Sequence, residues 1–175
     1  MGIAERAPLL IITGSIGAGK TTVLGDATGL LCDAKVPHAA IDLDWLTQMF
    51  PDPVDYGHSL MMANLAAIWP IYVAAGAQRL LVARALESRS ELEDYRRAVP
   101  HADVQVCRLL ASIDNMAERV RRREIGSWRE EGLARSAELA RIQDRSLVED
   151  FTINNEAGRN VTELAREVLA RAGWL

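Results

Sequence analysis

An α/β fold, a parallel sheet with helices on both faces, is predicted by three observations. Short apolar runs alternate about five times with stretches of helical periodicity. The first run passes directly into a glycine-rich turn and then into a helix pattern, the order strand, loop, helix. No internal repeat, low-complexity tract or linker interrupts this order, and 175 residues suffice for one core, so 1–175 is read as a single domain.

The elements follow in chain order. Leu9–Thr13 is expected as strand one, and Val23, Leu24, Ala27, Leu30 and Leu31 give the next helix one apolar face. Pro37 ends that unit and Ala39–Leu43 reads as strand two. Pro51, Asp52, Pro53 and Gly57 mark a loop. Ser59–Ala75 is apolar and helical, with Pro70 as a kink or break. Arg79–Ala83 reads as strand three. Ser88 with Glu91, or Ser90 with Glu93, offers a capping box for a helix that stops before Pro100. Val104–Leu110 reads as strand four, followed by a helix with Ile113, Met116, Ala117 and Val120 on its apolar face. The polar residues 124–132, with Gly126 and Gly132, suit a mobile lid, taken to span approximately 124–136. Leu133–Leu147 reads as an amphipathic helix and Phe151–Ile153 as strand five. The last helix carries Leu164, Ala165, Val168, Leu169 and Ala172, and Gly173 stops it.

Composition narrows the functional classes. Net charge is −4, so bulk attraction to nucleic acid or to an anionic membrane is not expected. Mean hydropathy is near zero. No run approaches the roughly 18 apolar residues of a membrane span, and a cytoplasmic location is the default expectation. Cys32 and Cys107 lack metal-ligand spacing and read as reduced, buried or half-buried thiols. The Ala- and Arg-rich, Lys-poor make-up suggests a bacterial source of high GC content.

The glycine-rich turn is the most informative segment. Gly14-Ser15-Ile16-Gly17-Ala18-Gly19-Lys20-Thr21-Thr22 fits G-x-x-x-x-G-K-[ST], a phosphate-binding (Walker A) loop, and all nine residues are assigned to nucleotide binding. The glycines let the backbone wrap a polyphosphate, the amides of Ser15 to Lys20 are expected to point inward, and the helix N-terminus adds a positive end. Lys20 would reach the β- and γ-phosphates of ATP, and the Thr21 hydroxyl would join a Mg²⁺ shell made mostly of water and phosphate. Lys20 and Lys35 are the only lysines among 20 basic residues, so the lysine in this slot is not compositional noise.

In such a sheet the ligand crevice lies at the carboxyl ends of the strands, and that rule selects the other candidates. Strand two ends in Ile41-Asp42-Leu43-Asp44, and carboxylates two residues apart share a strand face. Asp42 could hold a Mg²⁺-bound water, while Asp44, nearer the strand's end, could take the proton of an attacking hydroxyl. The alternative is an N-cap for a helical segment beginning Trp45-Leu46. Arg119 and Arg123 stand four apart on one helix face, one suited to stack on adenine and the other to reach the phosphates. Arg121 and Arg122 read as solvated. Arg135, Arg141 and Arg145 follow the lid, and any of them could close on the transferring phosphoryl group. Asn154 to Gly158, including Asn155, forms either a turn that meets the adenine edge or a plain strand-to-helix loop. The segment 56–72, with His58, Asn64, Trp69 and Tyr72, would wall an acceptor pocket, though its Met and aromatic residues read first as core. Arg84 could meet an anionic acceptor or serve structure.

On these residues the chain resembles the small P-loop kinases, a group that includes nucleoside and nucleotide kinases, shikimate and gluconate kinases, adenylylsulfate kinase and chloramphenicol phosphotransferase. Gly14 to Thr22 matches their phosphate loop. Asp42-Leu43-Asp44 is similar to the aspartate pair after strand two, where such kinases bind the acceptor hydroxyl and take its proton. Arg119-Val120-Arg121-Arg122-Arg123 resembles the R-[LV]-x-x-R helix before the lid, whose first arginine packs on adenine. The pattern is also similar to actinobacterial proteins described as AAA-family ATPases. The resemblance implies a three-layer P-loop NTPase fold, a five-stranded parallel sheet in the order 2-3-1-4-5, a small helical lid, and ATP with Mg²⁺. One departure stands out: Leu80-Leu81-Val82-Ala83-Arg84 lacks the acidic residue often found at the end of strand three. Metal organisation then falls to Thr21, Asp42 or Asp44, and Glu87.

The expectation is therefore a Mg-ATP-dependent small-molecule kinase. Lys20, Asp44, Asp42 and Arg123 are the catalytic candidates, Thr21 and Asp42 the metal ligands, and Arg119, Asn155 and Gly158 join the loop in binding nucleotide. Its partner is a small molecule with a hydroxyl group, with neither nucleic acid nor membrane involved. The alternative is an ATP-binding regulatory protein with little transferase activity. A polynucleotide 5′-kinase fits the acidic net charge poorly.

Overall fold

The computed structural model describes residues 6–123 and 125–175, with residues 54, 56, 127 and 128 described by backbone alone. Strands β1 (Ala7–Thr13), β2 (Ala39–Asp42), β3 (Leu80–Ala83), β4 (Ala102–Leu110) and β5 (Phe151–Asn154) form one sheet in the order 2-3-1-4-5. Every neighbouring pair is parallel, and Ile11 at the centre lies between Val82 and Val106. Parallel neighbours need crossovers, which are supplied by α1 (Lys20–Asp33), α2 (His58–Ala74), α3 (Glu91–Ala98), α4 (Ile113–Arg123) and α5 (Ser127–Ser146), while α6 (Val161–Arg171) follows the last strand and packs on the sheet.

β1 is the pivot of the core. Its residues 9–12 are buried, and successive side chains leave the sheet on opposite faces. Leu10 and Ile12 join Val23, Ala27 and Leu31 of α1 and Leu164 and Leu169 of α6. Leu9 and Ile11 join Leu65 and Trp69 of α2 and Leu92 and Tyr95 of α3. Trp69 is thus core, as its apolar surroundings suggest.

Where the sequence expectations differ from the structure, local physics explains the difference. α2 runs unbroken through Pro70. The proline has no N–H for the Ala66 carbonyl, but Ala66 is exposed, so water can serve that oxygen. Of the two possible capping boxes, the return leg forms at Ser88, whose N–H donates to Glu91 Oε1 at 2.8 Å. β2 ends at Asp42, and Leu43–Thr47 coils into a 3₁₀ turn. The small helical lid expected over approximately 124–136 is helical from Ser127 onward but is continuous with α5 rather than a separate element, and residue 124 lies outside the described residues. Gly132 is not a breaker there. A Cβ on it would stand 3.3 Å from Val120 Cγ1, so the glycine lets α5 lie close against α4. Cys32 is exposed rather than half-buried, while Cys107 is buried and its thiol pushed up to about 12 by desolvation. Among the described residues, no helix is long and apolar enough to cross a membrane.

Leu10→Ala empties a fully buried position on the central strand. It is expected to lower the unfolding free energy by about 3 kcal/mol. Urea denaturation checks this, with an unchanged denaturant dependence marking a pure stability effect.

Candidate active site

Three strands deliver the site. β1 runs into the glycine loop, β2 into the aspartate-bearing turn, and β3 into Arg84. The loop is pressed against α4 and the β5–α6 connection so closely that no side chain fits. Gly17 (φ 85°) and Gly19 (φ 97°) take backbone conformations that side chains disfavour. A Cβ on Gly17 would lie 2.5 Å from the Met116 carbonyl oxygen, and one on Gly19 would lie 2.4 Å from Asn155 Nδ2.

Two side chains hold the loop carbonyls. Buried Asn155 donates Nδ2 to the Ala18 oxygen at 2.7 Å. Arg119 donates Nη1 to the Gly17 oxygen at 3.1 Å and Nη2 to the Asn155 carbonyl at 2.8 Å. The negative ends of these peptides are thereby engaged by donors and compete less with an incoming anion. One amide departs from the expected inward set, since the Ala18 N–H donates to the Ser15 oxygen at 3.1 Å. The Ser15 hydroxyl donates to the Ser136 carbonyl at 2.6 Å, and the Ser136 hydroxyl donates to the Ile16 oxygen at 2.7 Å. These two bonds fasten α5 to the loop.

Lys20 lies back on the loop, its Nζ donating to the Ser15 oxygen at 3.1 Å. Burial pushes its ammonium below the ordinary lysine range. The Asp44 and Asp42 carboxylates pull the other way, and Arg123 and Arg84 add to the lowering.

Asp42 makes two contacts at once. Its Oδ2 accepts the Thr21 hydroxyl at 2.6 Å, and its Oδ1 accepts the Asp44 N–H at 3.1 Å. The second bond caps the 3₁₀ turn, so the capping reading is realised at Asp42. Asp44 stands on that turn and not on the strand, so the turn, rather than strand alternation, brings it to the cleft. Its Oδ1 pairs with Arg84 Nη1, a largely buried guanidinium, while the Asp44 side chain remains 54% exposed.

An open cleft of about 210 Å³ collects loop residues including Lys20, Thr21 and Thr22 together with Asp44, Arg119 and Arg123. Other candidates lie elsewhere. Gly14, Ser15 and Ala18 are buried in the loop, and Gly158 sits in an exposed turn outside the cleft lining. His58 pairs with Asp94 at 2.8 Å, and Asn64 donates to the Leu46 carbonyl at 2.8 Å. Tyr72 is partly exposed on the last turn of α2. Arg135 pairs with Glu87, and with Glu138 at 2.6 Å. Arg141 lines a separate cavity of about 230 Å³ that also includes Arg108, while Arg145 is exposed. Arg121 and Arg122 are exposed.

Glu156 was not legible in the sequence. It accepts the Ser112 N–H at 2.7 Å and the Ser112 hydroxyl at 3.0 Å, and also pairs with the Asn115 amide. The Asn115 bond first, with the Ser112 bonds behind it, holds its carboxyl below the usual range. The contact ties the β5–α6 connection to the start of α4, across 44 positions that no local pattern spans.

Oxygen donors dominate the metal side of the cleft. Among the described residues no group of three or more His, Cys, Asp or Glu is arranged to hold a metal. The Thr21 hydroxyl and Asp42 carboxylate fit a hard cation that keeps most of its water and phosphate ligands, as Mg²⁺ does. The glycine cradle, closed to any Cβ, fits a polyphosphate.

No family model and no curated protein matches the chain in sequence. Solved structures do match in fold. A gluconokinase from Sinorhizobium meliloti superposes with TM-score 0.61 at 19% identity, over 96% of this chain and 93% of that one. A shikimate kinase from Acinetobacter baumannii, in complex with shikimate, gives 0.60 at 18% over 95% and 93%. An APS kinase from Mycobacterium tuberculosis, in complex with AMPPNP and APS, gives 0.59 at 16% over 94% and 96%. At these identities the likeness is one of fold.

Lys20 carries its charge at a cost in stability. In the folded chain burial holds its pKa below the ordinary lysine value of 10.5, so the penalty is present at neutral pH and fades as pH rises through the folded value toward 10.5. Lys20→Met is therefore expected to melt at a higher temperature than the wild type at pH about 7, with the difference narrowing under alkaline conditions. Scanning calorimetry across pH checks both parts.

Proposed function

We propose that this chain, which has the fold of the small P-loop kinases, transfers the γ-phosphoryl group of Mg-ATP to a hydroxyl of a small molecule. One observation carries the reading: Lys20 and Asp44 line the same cleft, beside a Thr21 hydroxyl already held by Asp42. A phosphate-binding cation, a metal-binding hydroxyl and a carboxylate base are the parts phosphoryl transfer to an alcohol requires.

Mg-ATP would bring the phosphoryl group, and its metal, which Thr21 and Asp42 would help to hold, would supply positive charge against the phosphate oxygens. The remaining work belongs to the chain. Lys20 gives up the Ser15 carbonyl and neutralises the β- and γ-phosphate oxygens. Asp42 holds the Thr21 hydroxyl at 2.6 Å, and the two oxygens would help to hold the metal. Arg119 fixes the loop and offers its guanidinium plane to the base. Asp44 is engaged by Arg84 through Oδ1, which leaves Oδ2 to orient the acceptor hydroxyl and take its proton. As the acceptor oxygen bonds to the γ-phosphorus, the bond to the bridging oxygen breaks and ADP leaves. Arg123, with a guanidinium of α5 such as that of Arg135, steadies the developing charge.

A second reading has one observation in its favour. Arg84 stands where an acid was expected, and it holds the proposed base in an ion pair. An ATP-binding regulatory protein would tolerate that arrangement, and would show nucleotide-dependent partner capture without acceptor-stimulated turnover.

Asp44→Asn separates the two. It is expected to leave calorimetric AMPPNP affinity within about threefold while acceptor-stimulated ADP release falls by about 10²-fold or more. Undiminished transfer by this variant removes Asp44 as the base.

A further inference from the structure

We propose that the outer face of α2 binds the same face of a second copy of this chain, the two helices lying antiparallel about a two-fold axis. From Ser59 to Gln78 the sequence contains no Asp, Glu, Lys, Arg or His. α2 accordingly has two apolar sides. Met61, Leu65 and Trp69, at every fourth residue, are buried in the core. The opposite side is exposed. Ala63, Ala67, Pro70 and Ala74 follow one another at intervals of four, three and four residues, which sets them in one line along an unbroken helix. Ile71, 67% exposed, and Val73, 43% exposed, flank that line on its two sides.

A helix that is apolar all round is ordinarily covered all round. Charge marks the solvent side of the other helices: Asp33 in α1, Glu93 in α3, Glu118 in α4, Glu130 in α5 and Arg166 in α6 are all exposed. Among the described helices, α2 alone shows no such residue on its exposed side.

Charge also decides between the possible covers. A helix lying on a membrane is held there by Lys and Arg beside its apolar face. Between Lys35 and Arg79 there is neither, and the net charge of −4 opposes an anionic surface. A second copy fits better. The face requires a partner without charge, and α2 itself supplies one. Copies of net charge −4 repel least where no charged group stands.

The spacing is self-matching. Intervals of four, three and four read the same in both directions, so in an antiparallel pair Ala63 meets the second Ala74 and Ala67 meets the second Pro70. This is the spacing of a two-helix seam, and alanine lets the axes approach to about 8 Å. The antiparallel arrangement also sets each helix N-terminus beside the other C-terminus, where their partial charges attract. Ala66, whose carbonyl Pro70 leaves without an intrahelical donor, lies to one side of the line, where a water at the rim can still serve it. A helix of 17 residues is about 25 Å long and about 10 Å across. That footprint falls short of the roughly 800 Å² per partner of a standard interface, so the expected dimer is weak, half-formed at about 10–100 μM.

Sedimentation velocity of the full chain from about 1 to 300 μM is expected to show a monomer passing to a dimer in that range. Ala63→Glu and Ala67→Glu each put a carboxylate into the seam. Glutamate suits an exposed helix position, so the melts should be unchanged while the midpoint rises about tenfold or more. Ala170→Glu, at an exposed position of α6, should leave the midpoint where it is. Orientation is read by mixing Ala63→Cys with Ala74→Cys, both carrying Cys32→Ser because Cys32 is exposed. Mild oxidation is expected to join the two variants to each other faster than either to itself.

A wild type that stays monomeric at about 300 μM overturns the proposal. A dimer that both seam glutamates leave intact overturns it as well, since another face then holds the copies together. If either glutamate variant melts lower, the cross-linking decides, and self-linking of each cysteine variant in preference to the mixed product contradicts the antiparallel pair. Flotation with phosphatidylcholine vesicles closes the remaining route: binding lost in Ala67→Glu, with no dimer in solution, gives the face to lipid and overturns the proposal.

Discussion

No side chain fits where the loop after β1 meets α4 and the β5–α6 connection, and the site depends on that exclusion. Gly17 abuts the Met116 carbonyl and Gly19 abuts the Asn155 amide, each at a distance where a Cβ would collide. The approach lets Arg119 and Asn155 reach the carbonyls of Gly17 and Ala18. Those bonds in turn fix the start of α1, on which Lys20 and Thr21 sit. The buried alternation of β1 supplies the rigid base. Core packing, loop shape and the positions of the charged groups are therefore one linked arrangement.

Charge balance is the second layer. Lys20 is pushed toward neutrality by burial and back toward its ammonium by Asp44 and Asp42. Asp44 is matched by Arg84, and Glu87 by Arg135. In the absence of phosphate the cleft thus neutralises itself largely from within. Incoming phosphate oxygens would compete for Lys20, whose exchange releases the Ser15 carbonyl oxygen.

Much of this was legible in the sequence because its signals are local. The glycine spacing, the Lys20-Thr21 pair, the Asp42-Leu43-Asp44 step and the Arg119–Arg123 spacing each occupy a few residues, and the strand and helix periods surround them. The cleft lining includes Lys20, Thr21, Asp44, Arg119 and Arg123. What escaped was long-range or context-dependent. Glu156 meets Ser112 and Asn115, and Ser15 meets Ser136, across separations that leave no periodic trace. Gly132 carries the same letter as a helix breaker, yet it serves a close approach between α4 and α5. His58 and Asn64 looked available because their partners, Asp94 and the Leu46 carbonyl, lie far along the chain.

Transfer itself is best followed through the phosphorus atom. ATP labelled at the γ-phosphate would be incubated with the protein and separate pools of nucleosides, sugar acids, shikimate, adenylylsulfate, aminoglycoside and phenicol antibiotics, and neutral aromatic alcohols. A kinase of the proposed kind places label in an organic phosphate ester in at least one pool, and Lys20→Ala removes that product. Label that stays in ATP, or appears only as inorganic phosphate in every pool, contradicts phosphoryl transfer to an alcohol and leaves a nucleotide-binding protein with another task.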